Sequence, residues 1–221
     1  MFMNRFLVVG RRWGVRSATS PFCITQRYKS NATQASFRDA MASVASSPMI
    51  ITTSHRVEGR NSGEREPRGI TLSSITSLSL SPDILITFNI QVPSRTSEVL
   101  HDRGVFAINM LDSSPQSVQL CRVFAGQLGR TVNPFDVESH LFLWNDHGDE
   151  DAMDIPTIID TMAVLYCEKK RVIRVQDHEI WIAKVSDIKM GQNSQLDKKS
   201  SLVYYRRGFH TIGSEVKERE D

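Results

Sequence analysis

Ser94, Arg95 and Thr96 place two hydroxyls and a guanidinium side by side in the chain. The following pattern predicts a helix to about Asp102, with Ser94 as its N-cap and Gly104 as its end. The free N–H groups and the dipole at a helix N-terminus favour an anion. The three residues therefore predict an anion site, although an ordinary N-cap beside a surface arginine would look the same.

Hydroxyl side chains are concentrated between Thr71 and Ser81, where seven residues are Ser or Thr. On a central strand, such hydroxyls would need a polar ligand or neighbouring backbone to satisfy them. On a solvent-facing edge strand they would need neither, because Thr and Ser suit an exposed strand. We expect the central strand, with the edge strand as the alternative.

Cysteine and histidine are too scattered to predict a metal site. Cys23 lies near the N-terminus, and Cys121 and Cys167 lack the paired spacing of a zinc site or a disulfide framework. The six histidines show no two-His helical spacing that would place two imidazoles on one ion. We expect buried thiols and no structural or catalytic metal.

The elements that must position these groups are mainly strands. The clearest strand covers residues 84–91, where Ile84, Ile86, Phe88 and Ile90 alternate with more polar residues. A long hairpin is predicted from Thr161 to Val175 and from His178 to Lys189, turning near Gln176 and Asp177. Other strands are expected at residues 49–57, 105–111, 140–144 and 202–205, with an exposed loop at 59–69 and helices at 37–44, 94–102 and 115–125.

This order of elements predicts the fold class. Six or more strands with few short helices and no alternating β-α-β register indicate a mostly antiparallel, closed sheet. The sequence also lacks a GxGxxG fingerprint, so a nucleotide-type cofactor would not bind as in a Rossmann fold. We expect one domain over residues 31–213, followed by a charged tail at 214–221.

The N-terminal segment differs in charge from the rest of the chain. Residues 1–30 carry six Lys or Arg and no acidic residue, which leaves 21 basic against 25 acidic residues beyond them. A cationic, Ser/Thr-containing segment with interspersed apolar residues is typical of a mitochondrial transit peptide. A disordered basic tail or a nucleic-acid arm is the alternative, but the mildly acidic remainder offers no phosphate-tracking surface. No apolar stretch is long enough for a membrane span.

Six blocks, in order, resemble the flavin reductase-like family, whose members have an antiparallel, Greek-key FMN-binding split β-barrel. The resemblance runs from about Phe37 to Gly213 and is that of a fungal-type mitochondrial member. The blocks are FRDAMASVASSPMIITT, PRGITLSSITSLSLSP, PSRTSEVL, FAINML, QDHEIWIAKV and LVYYRRGFHTIG. The sequence departs from the family at Gln176, where the family has glycine, and the segment from Gly126 to Pro156 matches no family block.

The resemblance implies a site for FMN and for NADH or NADPH as co-substrate. His178 would act in the reaction step by placing the nicotinamide, since hydride transfer depends on ring orientation. A lone histidine is more often structural, which remains the alternative. The implied cofactor-binding residues are Thr71, Leu72, Ser73, Ser74, Ser77, Leu78, Ser79, Ser94, Arg95, Thr96, Ala107, Asn109, Tyr205 and Arg206.

The family also implies an activity and partners. We expect an NAD(P)H-dependent flavin oxidoreductase in the mitochondrial matrix, built as a homodimer, that passes electrons to free flavin, a partner oxygenase or another acceptor. A non-catalytic FMN-binding or structural module of a mitochondrial assembly is one alternative. FMN-dependent oxidation of a pyridoxamine-type substrate is another, but it would need a second basic phosphate site, and the sequence shows no such cluster.

Overall fold

The computed structural model describes residues 21–56, 65–127, 129, 133–137, 139–145, 155–191 and 200–215. The chain divides into two compact units, residues 1–41 and 42–221. The predicted presequence lies largely outside the described residues. Among the described residues, no helix is long and apolar enough to cross a bilayer.

The described part of the first unit is helix α1, Pro21–Ala42. The prediction of a short helix at residues 37–44 is wrong at both ends, because α1 begins at Pro21 and ends at Ala42. Phe37 and Met41 are 64% and 51% exposed.

Strands make up most of the second unit. They are β1 (Met49–Arg56), β2 (Arg65–Leu72), β3 (Thr76–Ser79), β4 (Leu85–Gln91), β5 (Val105–Met110), β6 (Phe142–Asn145), β7 (Ile155–Ile158), β8 (Ala163–Val175), β9 (His178–Met190), β10 (Leu202–Tyr205) and β11 (Gly208–Thr211). The helices are α2 (Arg95–Arg103), α3 (Pro115–Phe124) and α4 (Pro134–Val137), with a 3-10 turn at Ser139–Leu141. The predicted mostly antiparallel fold is confirmed.

Seven strands form one sheet in the order β2-β1-β5-β8-β9-β4-β3. The edge strands β2 and β3 are joined by only three residues, 73–75. In a flat sheet these edges would lie about 29 Å apart at the usual spacing of strands. The connection reaches about 14 Å at most. The sheet must therefore roll up so that its edges approach, which makes it a barrel with an opening between β2 and β3.

The barrel interior is apolar and is covered at one end by α2. Phe88, Phe106 and Trp181 are fully buried in it, and Leu100 of α2 packs into the same cluster. Phe88 stacks on Trp181 with ring centroids 5.8 Å apart. The alternation predicted for β4 holds from Ile86 to Ile90, whereas the predicted first residue, Ile84, precedes the strand and is 42% exposed.

Two predicted boundaries around the opening are wrong. Arg65–Gly69, assigned to an exposed loop, is the first half of β2 and pairs with β1. The hydroxyl-rich segment is not a central strand, because β2 ends at Leu72 and β3 is a four-residue edge strand. The edge-strand alternative therefore applies to Thr76–Ser79.

Candidate functional site

Helix α2 begins as predicted, with Ser94 as its N-cap. The Ser94 hydroxyl accepts a hydrogen bond from the Ser97 N–H at 3.3 Å, and Gly104 ends the helix with φ of 74°. The Thr96 hydroxyl is buried and donates to the Gly69 carbonyl of β2 at 3.1 Å. Arg95 is exposed. Because the first N–H groups of a helix have no partner within it, an anion here would meet those groups and the Arg95 guanidinium.

The hydroxyl-rich segment follows β4 along the edge of the sheet. Ser74 accepts a hydrogen bond from the Asn89 N–H of β4 at 3.0 Å. Ser73 and Ser77 are exposed, and Leu78 is 49% exposed. Thr71 points away from this edge, since its hydroxyl donates to the Cys121 carbonyl of α3 at 2.8 Å.

His178 is the first residue of β9, directly after the tight turn that the sequence predicted. Its Nδ1 lies 2.9 Å from Oδ1 of Asp177, and the Gln91 side-chain amide donates to Oδ2 of that carboxylate at 3.2 Å. The hydrogen bond with His178 is the main reason that the pKa of Asp177 lies below its usual value. Asp177 therefore stays ionised at neutral pH and holds the Nδ1 side of the ring, which leaves Nε2 to face a ligand.

The start of α2, Ser74 and His178 meet around the end of β4. Gln91 pairs with His178 across the sheet, and the Val92 N–H donates to the Asp177 carbonyl at 2.9 Å, two residues before Ser94. Ser79 pairs instead with Leu85. Since β4 covers about 20 Å between Leu85 and Gln91, Ser79 and His178 lie at opposite ends of this strand.

The predicted pair on β5 is buried. Asn109 has no exposed surface, and its amide donates to the Ile50 carbonyl at 3.0 Å and to the Thr52 hydroxyl at 3.1 Å. Its Oδ1 accepts from the Ile158 N–H at 2.8 Å. Ala107 is also fully buried and packs against Tyr166 and other core residues. Both side chains are committed to contacts within the protein, and a role for them at a cofactor stays a prediction.

Tyr205 and Arg206 lie on the β10–β11 hairpin. The Arg206 guanidinium lies 5.3 Å from the centre of the Tyr205 ring, and the His210 ring lies 5.9 Å from it on another side. This hairpin bonds to Ala42 and Ser46 through backbone groups, and its described contacts do not include α2, β4 or β9. The structure therefore does not bring these two residues to the end of β4 within one chain.

Sequence reasoning missed two residues of this region. Gln91 was visible as the polar last residue of an alternating strand, but its contact with Asp177 depends on the pairing of β4 with β9. Gly69 allows the ring of Phe124 to lie directly on β2, because a Cβ there would overlap that ring and lie 3.0 Å from the Ile51 carbonyl.

A cavity of about 250 Å³ lies apart from the end of β4. It is lined by the start of α3, the end of β5 and the residues that follow β7. None of the predicted site residues lines it.

Taken together, the rolled antiparallel sheet and the polar groups at its rim define an antiparallel β-barrel with a polar rim around the end of β4. Residues 41–213 match the model of the flavin reductase like domain, and the chain belongs to this family.

Named relatives agree with this assignment. The chain is 27% identical over 177 residues to an NADH:riboflavin 5'-phosphate oxidoreductase of Streptomyces pristinaespiralis, covering 80% of this chain and 86% of that protein. It is 25% identical over 180 residues to a 4-hydroxyphenylacetate 3-monooxygenase reductase component of Klebsiella oxytoca, covering 81% and 92%. The structure of an NADH:FAD oxidoreductase of Streptomyces globisporus superimposes with a TM-score of 0.64 at 20% identity, covering 82% and 94%, and shares the fold.

Proposed function

We propose that this protein is an NAD(P)H-dependent flavin oxidoreductase whose flavin binds at the end of β4. The observation that carries the proposal is the meeting of three groups there: the N-terminus of α2, the exposed Ser73 beside the bonded Ser74 directly after β2, and His178 held by Asp177. Family membership supports the same activity.

The residues present fit a flavin mononucleotide. The phosphate would be held by the first N–H groups of α2 and the exposed Arg95. Ser73 offers an exposed hydroxyl for the polar edge of the ring. Ser77 and Leu78 lie nearer the other end of β4, because Ser77 pairs with Ile86 and Ser79 with Leu85. When bound, the flavin supplies the atom that accepts a hydride from reduced nicotinamide.

The contribution of the chain is mainly orientation. Asp177 fixes the His178 ring through Nδ1, and Gln91 holds Asp177 in place. With its ring fixed, His178 directs Nε2 outward to position the nicotinamide. Holding two rings in contact removes the entropic cost of bringing them together, which is a large part of the barrier to such a transfer.

We propose FMN as the preferred flavin, with FAD as the competing ligand. One anion-binding helix turn suits one phosphate, and the Streptomyces pristinaespiralis relative is named for riboflavin 5'-phosphate. The Streptomyces globisporus enzyme is named for FAD. Parallel titrations of the protein with FMN and FAD, followed by flavin fluorescence, test the choice, and an equal or lower Kd for FAD would overturn it.

We also propose a homodimer that delivers reduced flavin to a partner oxygenase or another acceptor. Ile173 and Val175 are 38% and 46% exposed on the sheet face that His178 shares. Exposed apolar side chains beside a site favour a protein partner, which supports an interface on this face. The delivery of reduced flavin to an oxygenase is supported by the Klebsiella oxytoca relative, which is the reductase component of a monooxygenase. Light scattering of the purified protein tests the dimer, and a monomeric mass would exclude it.

A mitochondrial location is the third part of the proposal. It is supported by the basic, acid-free residues 1–30. Fused to a fluorescent reporter, this segment should direct it into mitochondria, and a diffuse cytosolic signal would count against import.

One observation favours the alternative of a non-catalytic flavin-binding module. Gln176, which stands where the family has glycine, is exposed in the turn beside Asp177 and has φ of 52°. Its side chain adds bulk next to His178. Anaerobic addition of NADH and of NADPH to the flavin-loaded protein separates the two functions, because bleaching of the flavin indicates the reductase and bound but unbleached flavin indicates the module.

A further inference from the structure

Glu179 is a carboxylate in an inward-facing position of the barrel. It follows His178 on β9 and pairs across the sheet with Ile90, which is fully buried. Its side chain is only 14% exposed. Trp181, two residues further along the same face, belongs to the core of the barrel.

The Glu179 carboxylate is held by donors from α2 and from the barrel. Its Oε2 accepts from the Ser97 hydroxyl at 2.6 Å and from the Trp181 indole N–H at 3.3 Å, and lies 3.1 Å from Nε2 of His101. Burial by itself raises the pKa of Glu179, but the hydrogen bonds from Ser97 and His101 outweigh it, so the pKa is lowered. The Arg174 guanidinium lies 3.9 Å from Oε1.

An apolar side chain would fit this position at a lower desolvation cost, because buried ion pairs seldom add stability over well-packed apolar groups. What the carboxylate adds is a fixed geometry. Ser97 donates its N–H to the Ser94 cap and its hydroxyl to Glu179. A single residue therefore links the N-terminal turn of α2 to the residue beside His178.

We infer that Glu179 is a positioning residue that holds the first turn of α2 in register with His178, and so sets where the phosphate end of the flavin lies. The inference rests on the proposed function. Thr96 ties the same turn to β2 through Gly69. Without the Glu179 contact the turn keeps the Thr96 bond and the Val92 bond to Asp177 ahead of it, but it loses its link to the inner face of β9. Its N–H groups can then tilt away from the phosphate while the ring contacts stay.

The test compares FMN with riboflavin, which lacks the phosphate. Purified wild type, Glu179→Gln and Ser97→Ala are titrated with each flavin in the absence of nicotinamide, with flavin fluorescence as the readout. We expect the Kd for FMN to rise about tenfold in both variants, and the Kd for riboflavin to change less than about twofold. Ser97→Ala keeps the carboxylate, so it decides the question if Glu179→Gln does not fold.

The matched control is Asp83→Asn, which removes a carboxylate that bonds Lys170 at 3.1 Å and Lys184 at 3.2 Å, just before β4 begins. It should leave both Kd values unchanged. An equal loss of both flavins in Glu179→Gln and Ser97→Ala, or lower thermal stability with unchanged Kd values, would overturn the inference. If wild type binds neither flavin, the proposed function itself fails, which is a separate outcome.

Discussion

Replacement of Asn109 separates a structural role from a role at the flavin. Its amide makes three hydrogen bonds in a fully buried position, to Ile50, Thr52 and Ile158. Asn109→Ala removes the side-chain partner of the Ile50 carbonyl and of the Ile158 N–H, whereas the Thr52 hydroxyl keeps its bond to the Pro156 carbonyl. Each buried group left unpaired costs about 1 to 3 kcal/mol. We therefore expect the free energy of unfolding to fall by about 3 kcal/mol, which lowers Tm by roughly 6 to 12 °C in a protein of this size.

The assay is urea unfolding followed by circular dichroism, together with an FMN titration of the folded variant. The slope of the unfolding free energy against urea should stay the same while the midpoint falls. Asn89→Ala is the matched control, because Asn89 is an exposed asparagine on β4, and it should change stability by less than about 0.5 kcal/mol. A stable Asn109→Ala variant with a raised Kd for FMN would refute the structural interpretation and support the predicted cofactor contact.

Three further outcomes are expected. Gly69→Ala should destabilise the protein by about 1 to 3 kcal/mol, because the new Cβ overlaps the Phe124 ring; a melting temperature equal to wild type would contradict this. Burial raises the pKa of Cys121 to about 12 and also raises the pKa of Cys167, so in a Cys23→Ser variant both remaining thiols should react with Ellman's reagent at pH 8 only after denaturation, with native reactivity as the contrary result. Gln176→Gly should remove the strain of a positive φ and lower the KM for nicotinamide if bulk obstructs it, whereas an unchanged KM would exclude obstruction.

Local chemistry made some elements predictable from the sequence. The bounds of α2 followed from Ser94 and Gly104, because an N-cap hydroxyl and a left-handed glycine act on the adjacent residues only. The β8–β9 hairpin followed from two long runs of strand-forming residues around a two-residue turn. Such signals need no knowledge of what packs against the segment.

Other elements were missed or given wrong bounds. Strand β10 was predicted at residues 202–205, but β11 was missed, because the turn before it lies at Arg206 and Arg207, with φ of 48° and 65°, where the usual Gly or Asn signal is absent. Pro67 suggested a loop, yet it lies in β2. Because β2 is an edge strand, one side of Pro67 has no neighbouring strand and its missing N–H is tolerated.

The site shows the same division between local and distant information. Ser94, Arg95 and Thr96 were predicted as one anion site from their residue types. The sequence could not show that the Thr96 hydroxyl donates its hydrogen bond to the Gly69 carbonyl. Likewise, Asn109 was predicted as a cofactor contact because it lies in a family block. In the structure both the nitrogen and the oxygen of its side-chain amide form hydrogen bonds within the core. A polar residue type predicts a capacity for hydrogen bonding, and only the fold decides whether that capacity is left for a ligand.

The short connection from β4 to α2 explains why the groups at this site can act together. Only residues 92–94 separate the two elements, and the Val92 N–H is bonded to the Asp177 carbonyl of the β8–β9 turn. A shift of that turn therefore moves the start of α2 as well as His178, because only Pro93 and Ser94 lie between the bonded Val92 and the first residue of α2. The phosphate end and the nicotinamide end of the proposed site are thus mechanically one unit, and substitutions in the turn should change affinity for flavin as well as for nicotinamide.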